Sequence, residues 1–152
     1  MAEIADKKLT EQLQNLLSIA NDSIAVYKKA TNDAKGPEFT ALFNDYLIQR
    51  SDDAKELKEA IVAAGGNPEQ SGSVLGTLNR YWIGIKTTIS SDEERILLEA
   101  SESHDKSAIA EYDEVLKSIE LSPGLRAILE DQRAGIEKAL IRAEQLGRVY
   151  SS

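Results

Sequence analysis

Cysteine is absent from the 152 residues of this chain. Disulfide bonds, thiolate metal ligands and a cysteine nucleophile are therefore excluded, and a secreted fold stabilised by disulfides is disfavoured. Histidine occurs once and proline three times. A single histidine gives no support for a Ser-His-Asp triad, and the scarcity of proline leaves most of the chain free to form helices.

Membrane and nucleic-acid signals are missing as well. No stretch approaches the ~18 apolar residues that a membrane-spanning helix requires, and the first residues carry no secretion signal. The formal net charge of -8, with basic residues scattered among acidic ones, would repel phosphate groups. We therefore expect a cytoplasmic protein that binds neither nucleic acid nor a membrane.

The sequence is rich in helical periodicity. Apolar residues recur at steps of three and four in five segments, whereas no strand-like alternation persists. The predicted helices cover about residues 9–31, 37–64, 73–89, 91–119 and 122–147. Pro37 suits a first helical turn, Gly65 and Gly66 form a stop, and Ser91 with Glu94 is typical of a capping box. These lengths and short connections predict an all-α, antiparallel helix bundle of four to five helices, forming one domain over residues 1–152 with its core at about 9–147.

Two carboxylates interrupt the apolar face of the fourth predicted helix. Glu102 and Asp105 continue the stripe that begins at Leu98 and goes on to Tyr112, which places them toward the core. Burying an unpaired charge is very costly. The pair must therefore be neutralised by protonation, by a cationic side chain or by a metal ion.

Other helices direct polar groups to the same interior. Arg50 is predicted to point inward from the second helix, where it could neutralise Glu102 or Asp105 by a two-pronged ion pair. Gln132 lies on the apolar stripe of the fifth helix, while Asp22 and Glu56 lie at the edges of the first two stripes.

Two interpretations of this arrangement stay open. The four acids Asp22, Glu56, Glu102 and Asp105 could form an all-oxygen metal site, which would favour Mn, Mg or Ca over a redox iron pair. Di-iron bundles, however, take a Glu-x-x-His pair from each of two helices, and this chain has no such pair; His104 is expected to be a surface or packing residue rather than a ligand. The other interpretation is a buried polar network around Arg50 that fixes helix register.

The third predicted helix carries the most specific motif. Gly72-Ser73 leads to Arg80, Trp82 and Lys86, and this segment resembles the hallmark helix of an uncharacterised bacterial family of ferritin-like four-helix-bundle proteins. Further positions match the same family over essentially the whole chain. They are Asn21, Asp22, Tyr27, Arg50, Glu56, Leu57, Gly65, Gly66, Glu102, Asp105 and Tyr112.

The resemblance implies a ferritin-like bundle but no established activity. The chain departs from the family pattern at positions that matter for metal binding. Ala25 stands where many members have a glutamate, and Asn79 where many have a histidine. His104 replaces a glycine, and Asp105 is shorter than the usual acid. If relatives bind metal, this chain is a depleted version of them.

We therefore expect a non-enzymatic ferritin-like bundle that acts as a structural, interaction or stress-associated protein and associates with itself as a dimer. No cofactor is expected. The alternative is a carboxylate-bridged metal protein that oxidises or stores iron or manganese at a degenerate ferritin-like site.

Overall fold

A computed structural model describes residues 2–33, 36–68, 93–118 and 120–151 of the chain. These ranges form four α-helices: α1 (Ala2–Asp33), α2 (Pro37–Ala63), α3 (Glu93–Ser118) and α4 (Pro123–Ser151). No strand occurs within them, so the predicted all-α helical class is confirmed. The third predicted helix, with its Gly72–Lys86 motif and Asn79, lies outside the described residues.

The helix limits follow local sequence signals at some ends and extend beyond them at others. Pro37 opens α2 after an extended Gly36. Gly65 follows the end of α2 with a φ of 89°, a left-handed conformation that favours glycine. In contrast, α4 continues through Gly147 to Ser151, and α1 begins at Ala2 rather than near residue 9. A glycine inside a helix costs only about 1 kcal/mol, which neighbouring helical residues can offset.

The four helices form a ring in the order α1, α2, α4, α3. α1 packs chiefly on α2 and α3 on α4, while further contacts join α1 to α3 and α2 to α4. Each neighbouring pair is antiparallel. Tyr27, late in α1, stacks on Phe43, early in α2, and Tyr112, late in α3, bonds to Gln132, early in α4. α2 and α3 therefore run in the same direction on one diagonal of the ring, linked by residues 64–92.

The core consists of two apolar halves. The first is centred on the early part of α1 and the late part of α2, and comprises Leu13, Leu16, Leu17, Ala20, Ala54, Leu57, Ile61, Ala108, Tyr112, Val115, Leu129 and Ile136. The second lies at the other end of the bundle and comprises Val26, Tyr27, Ala30, Phe39, Leu42, Phe43, Tyr46, Leu97, Leu98, Ala139 and Ala143. None of the described helices combines the length and the apolarity needed to cross a membrane.

Candidate functional site

Buried polar residues separate the two apolar halves of the core. We call them the polar layer. Its members come from all four helices and are Ser23, Arg50, Asp53, Ser101, His104, Asp105 and Gln132. Because burying polar groups costs free energy unless they are hydrogen-bonded, their partners decide what the layer can do.

Asp105 is held by a tyrosine of the neighbouring helix. The Tyr27 hydroxyl donates a 2.5 Å hydrogen bond to Asp105 Oδ1. Asp105 Oδ2 is buried and has no hydrogen-bond partner within the described part of the chain. Burial raises the pKa of Asp105 to about 7, with Glu102 adding to the rise, while the Tyr27 bond and the charge of Arg50 oppose it. The carboxyl group therefore changes its protonation near neutral pH.

The hydroxyl of Tyr27 remains a proton donor throughout the physiological range. Burial, the charge of Asp105 and the hydrogen bond between them raise the pKa of Tyr27 well above its usual value. The bond to Asp105 is thus a phenol–carboxyl contact whose strength depends on whether Asp105 is ionised.

His104 makes a second link between α1 and α3. Its Nε2 lies 2.5 Å from Ser23 Oγ, and Ser23 Oγ also donates to the carbonyl of Ile19 at 3.0 Å. Burial, together with the charge of Arg50, lowers the pKa of His104 to about 4, against a hydrogen bond with the Ile19 backbone. The imidazole is therefore neutral at pH 7. His104 is buried in the core, which agrees with a packing role and not with the surface position that the sequence also allowed.

Arg50 is neutralised within its own helix. Its Nη1 donates to Asp53 Oδ2 at 2.7 Å and its Nη2 to Gln49 Oε1 at 2.9 Å, while its Nε is buried with no partner among the described residues. The prediction that Arg50 points inward is confirmed, since its side chain is fully buried. The prediction that it bridges Glu102 or Asp105 is wrong, because the guanidinium pairs instead with Asp53, three residues later on the same helix.

Asp53 supplies the negative charge of this ion pair. Burial raises its pKa to about 6, against the attraction of Arg50 and with added repulsion from Glu56, Asp52 and Asp131. The guanidinium thus pairs directly with Asp53, and its charge also lowers the pKa of Asp105 at longer range.

Gln132 connects α4 to two other helices. Its Oε1 accepts a 2.7 Å hydrogen bond from the Tyr112 hydroxyl of α3. Its Nε2 donates to Glu56 Oε1 at 3.2 Å and to the Asp53 carbonyl at 3.4 Å, both on α2. The prediction that Gln132 faces the core is confirmed by its burial.

The buried face of α3 is rotated from the predicted one. Glu102 was expected beside Asp105 toward the core, but it is only half-buried and lines an open groove of about 380 Å³ between α3 and α4 with Lys106, Glu144 and Arg148. The core-facing prediction is therefore wrong for Glu102. Ser101 and His104 are buried in its place: Ser101 donates to the Leu98 carbonyl of its own helix, and His104 bonds to Ser23 of α1.

The four predicted metal-ligating acids are spread over the bundle. Asp105 is buried, Glu102 lines the α3–α4 groove, and Glu56 is an exposed residue that accepts the bond from Gln132. Asp22 is half-buried on α1, where burial raises its pKa to about 6. Within residues 7–32, 36–68, 97–117 and 120–149, whose side chains are described, no group of three or more acidic or histidine side chains is placed to hold a metal ion.

Sequence reasoning missed three members of the layer, Ser23, Asp53 and Ser101. Asp53 could have been found from its position three residues after Arg50, a spacing that brings side chains together on a helix. Ser23 had no such signal, because its inward position depends on the bond to His104 from another helix.

Most of the chain matches the model of one known protein family. Residues 8–118 match the family described as a domain of unknown function, DUF2383. The chain belongs to the DUF2383 family. The match includes most of α1, all of α2 and α3, and the Tyr27–Asp105 and Ser23–His104 contacts, whereas α4 with Gln132 lies beyond it. Among curated proteins, no relative matches the chain.

Proposed function

We propose that this DUF2383 protein is a non-enzymatic, ferritin-like bundle that works as a structural or interaction protein and associates with itself. The observation that carries the proposal is the ion pair between Arg50 and Asp53 inside the bundle. A guanidinium at this position repels a metal cation and neutralises Asp53, while Asp105, whose pKa is raised to about 7, can be neutralised by a proton.

The connectivity of the helices supports the ferritin-like part of the proposal. α1 and α2 form one antiparallel hairpin and α3 and α4 another, and the end of α2 lies at the opposite end of the bundle from the start of α3. Ferritin-like folds place their second and third helices in the same relation. The matching motifs noted in the sequence point the same way.

The contacts of the polar layer support a structural role. Tyr27–Asp105 and Ser23–His104 join α1 to α3, and Gln132 joins α4 to α2 and α3. Sliding one helix by a single turn, about 5.4 Å, would break these bonds and bury their groups without partners. The layer therefore favours one alignment of the helices over its neighbours.

A second candidate function is the binding of iron or manganese. Its support is Asp105 Oδ2, a buried carboxylate oxygen with no hydrogen-bond partner among the described residues, close enough to Glu102 for their charges to interact. Carboxylate oxygen suits manganese and similar hard ions.

Metal analysis decides between the two. The full chain would be purified without chelator, incubated with Fe(II) or Mn(II), desalted and analysed for bound metal. The first proposal expects no stoichiometric metal in the wild-type chain. Stoichiometric iron or manganese that is lost in Asp105→Asn or Glu102→Gln, but kept in the exposed α3 control Glu111→Gln, would overturn it in favour of the second.

A further inference from the structure

Large exposed apolar side chains occur on two neighbouring helices of the bundle. Within the described part of the chain they are Ile48, Val62, Ile128, Ile141 and Val149, all on α2 and α4. Ile141 lies three and seven residues before Glu144 and Arg148, which line the α3–α4 groove, so it is on the α3 side of α4. Single exposed apolar residues are normal, but several on the same side of a protein mark a surface that binds another.

Two shallow grooves follow the line between α2 and α4. One, of about 450 Å³, is lined mainly by apolar groups, including Ala41, Leu42, Leu146 and Val149. The other, of about 230 Å³, includes Tyr46 and Ala139. Arg142 lines both, so the grooves are continuous. Ile48 lies seven residues after Ala41 and three after Asp45, and so on the same side of α2. We call this surface the α2–α4 face; its defining residues are Ala41, Asp45, Ile48, Arg142 and Val149.

The two edges of the α2–α4 face carry opposite charges. Glu38 and Asp45 lie on the α2 edge, while Lys138 and Arg142 lie on the α4 edge. Asp45 Oδ2 and Arg142 Nη1 are 3.0 Å apart, and about half of each side chain remains exposed. The two charges therefore lie at the same height along the bundle, and both are accessible from outside.

We propose that the α2–α4 face binds a second copy of this chain, through a two-fold axis that runs parallel to the helices. This axis places α2 of each copy over α4 of the other. Every residue keeps its position along the length of the bundle. Asp45 of each copy then meets Arg142 of the other, and Ile48 and Val149 lie on the contacting surfaces. A two-fold axis perpendicular to the helices would instead set Asp45 near Asp45, a repulsive contact.

The interface is isologous, so every contact occurs twice. The net charge of -8 on each copy opposes association at long range, but salt at about 0.1 M limits that repulsion to about 10 Å. The dimer is therefore expected to be more stable at physiological ionic strength than in very low salt, whereas the Asp45–Arg142 contacts set its orientation.

The apolar part of the interface is tested by matched substitutions to glutamate. Val149 and Ile48 are 69% and 55% exposed on the α2–α4 face, and Ile141 is 49% exposed. Ile141 is on the α3 side of α4, with Glu144 and Arg148 of the α3–α4 groove, so it serves as the control. Sedimentation equilibrium of the full chain should show a dimer for the wild type and for Ile141→Glu.

Val149→Glu and Ile48→Glu should raise the dimer Kd by roughly tenfold or more, as expected for apolar residues near the centre of an interface. At concentrations low enough for all the proteins to be monomeric, their melting curves should match the wild type, because the substituted side chains are exposed. A monomeric wild type would overturn the proposal. So would equal weakening by the control Ile141→Glu, which would show that the chain associates through another surface.

The orientation is tested by exchanging charges between copies. Asp45→Lys brings a second positive charge close to Arg142 of the partner copy, and Arg142→Asp brings two negative charges together, so each variant alone should dimerise more weakly than the wild type. In a mixture of the two, a heterodimer avoids like charges across the interface in both contacts and should form preferentially. Single variants that dimerise as tightly as the wild type, or a mixture without preference for the heterodimer, would exclude the parallel axis.

This inference rests on the self-association in the proposed function and names the surface responsible. Its failure is distinguishable from failure of the rest of that proposal. Asp105→Asn changes the polar layer and any metal binding but lies away from the α2–α4 face, so it should leave the dimer Kd unchanged. A dimer that carries metal would contradict the metal-free structural role but not the α2–α4 interface. A metal-free monomer would contradict self-association through that face but not the metal-free structural role.

Discussion

Tyr27 supports one oxygen of Asp105, and the other oxygen has no hydrogen-bond partner among the described residues. The phenol is thus the direct stabilising contact of a carboxyl group whose pKa is raised to about 7. Protonation of Asp105 therefore changes the strength of a bond that joins α1 to α3.

Tyr27→Phe should destabilise the bundle more at pH 8 than at pH 5. Above pH 7 Asp105 is ionised, and losing a hydrogen bond to a charged group costs about 1.5–3 kcal/mol, against about 0.5–1.5 kcal/mol for a neutral pair. Urea unfolding at the two pH values measures the difference. Tyr46→Phe is the matched control, because the Tyr46 hydroxyl donates to the Ala139 carbonyl, which does not titrate. Equal losses for Tyr27→Phe at both pH values would contradict the role assigned to Asp105.

Asp105→Asn should become progressively more stable than the wild type as pH rises from 4 to 7. The folded pKa of Asp105 lies above its unfolded value, so the folded state keeps a proton that the unfolded state releases. The stability that this proton provides is complete below about pH 4 and is lost as pH rises toward 7, by up to about 4 kcal/mol over three pKa units. The measurement is the difference in unfolding free energy between variant and wild type at pH 4.5, 6 and 7.5. A difference that does not depend on pH would show that the pKa of Asp105 is not raised.

His104→Gln should reveal the opposite pH dependence. The pKa of His104 is lowered to about 4 in the fold, so acidification from pH 6.5 to 4 protonates the unfolded state first and removes up to about 3 kcal/mol of stability. Glutamine can keep a hydrogen bond to Ser23 without titrating. Relative to wild type, the variant should therefore gain stability between pH 7 and pH 4.5 in thermal or urea unfolding. A constant difference over this range would mean that the imidazole is accessible to protons in the folded chain.

Arg50 and Asp53 should behave as a coupled pair. Arg50→Met leaves Asp53 buried without its cation and should cost about 3–5 kcal/mol, whereas the double variant Arg50→Met, Asp53→Leu should lose less than Arg50→Met alone. A double-mutant cycle at pH 7.5 measures the coupling. As a control, the exposed pair Arg126–Glu130 should show a coupling of no more than about 0.5 kcal/mol. Additive losses at Arg50 and Asp53 would show that the ion pair does not hold the guanidinium in the core.

The fold could be predicted from the sequence because its signals are local. The start of α2 at Pro37 and its end before Gly65 follow from residues within one turn of each helix end. The inward positions of Arg50 and Gln132 followed from helical spacing alone. Gly147 was misleading as a stop, because the helix continues on contacts that a single residue does not reveal.

The partners within the polar layer could not be predicted in the same way. Hydrophobic spacing places a helix face to within about one residue, or 100° of rotation. Spacing alone therefore does not tell whether Glu102 or His104 faces the core. The hydrogen bond between His104 and Ser23 of α1 favours His104. Which acid Arg50 meets depends likewise on side-chain reach, which helical spacing does not give. Whether any metal binds stays a prediction for measurement.

The antiparallel arrangement of every neighbouring helix pair has a consequence for the electrostatics of the interior. Each end of the bundle carries two positive and two negative helix ends on alternating corners, so the helix dipoles largely cancel along the axis. Arg50 and Asp105 lie near the middle of α2 and α3, several turns from any helix end, where dipole effects have faded. Charge at that depth is not balanced by helix dipoles and depends on the groups beside it, and this makes the interior sensitive to single substitutions that conserve size but remove charge.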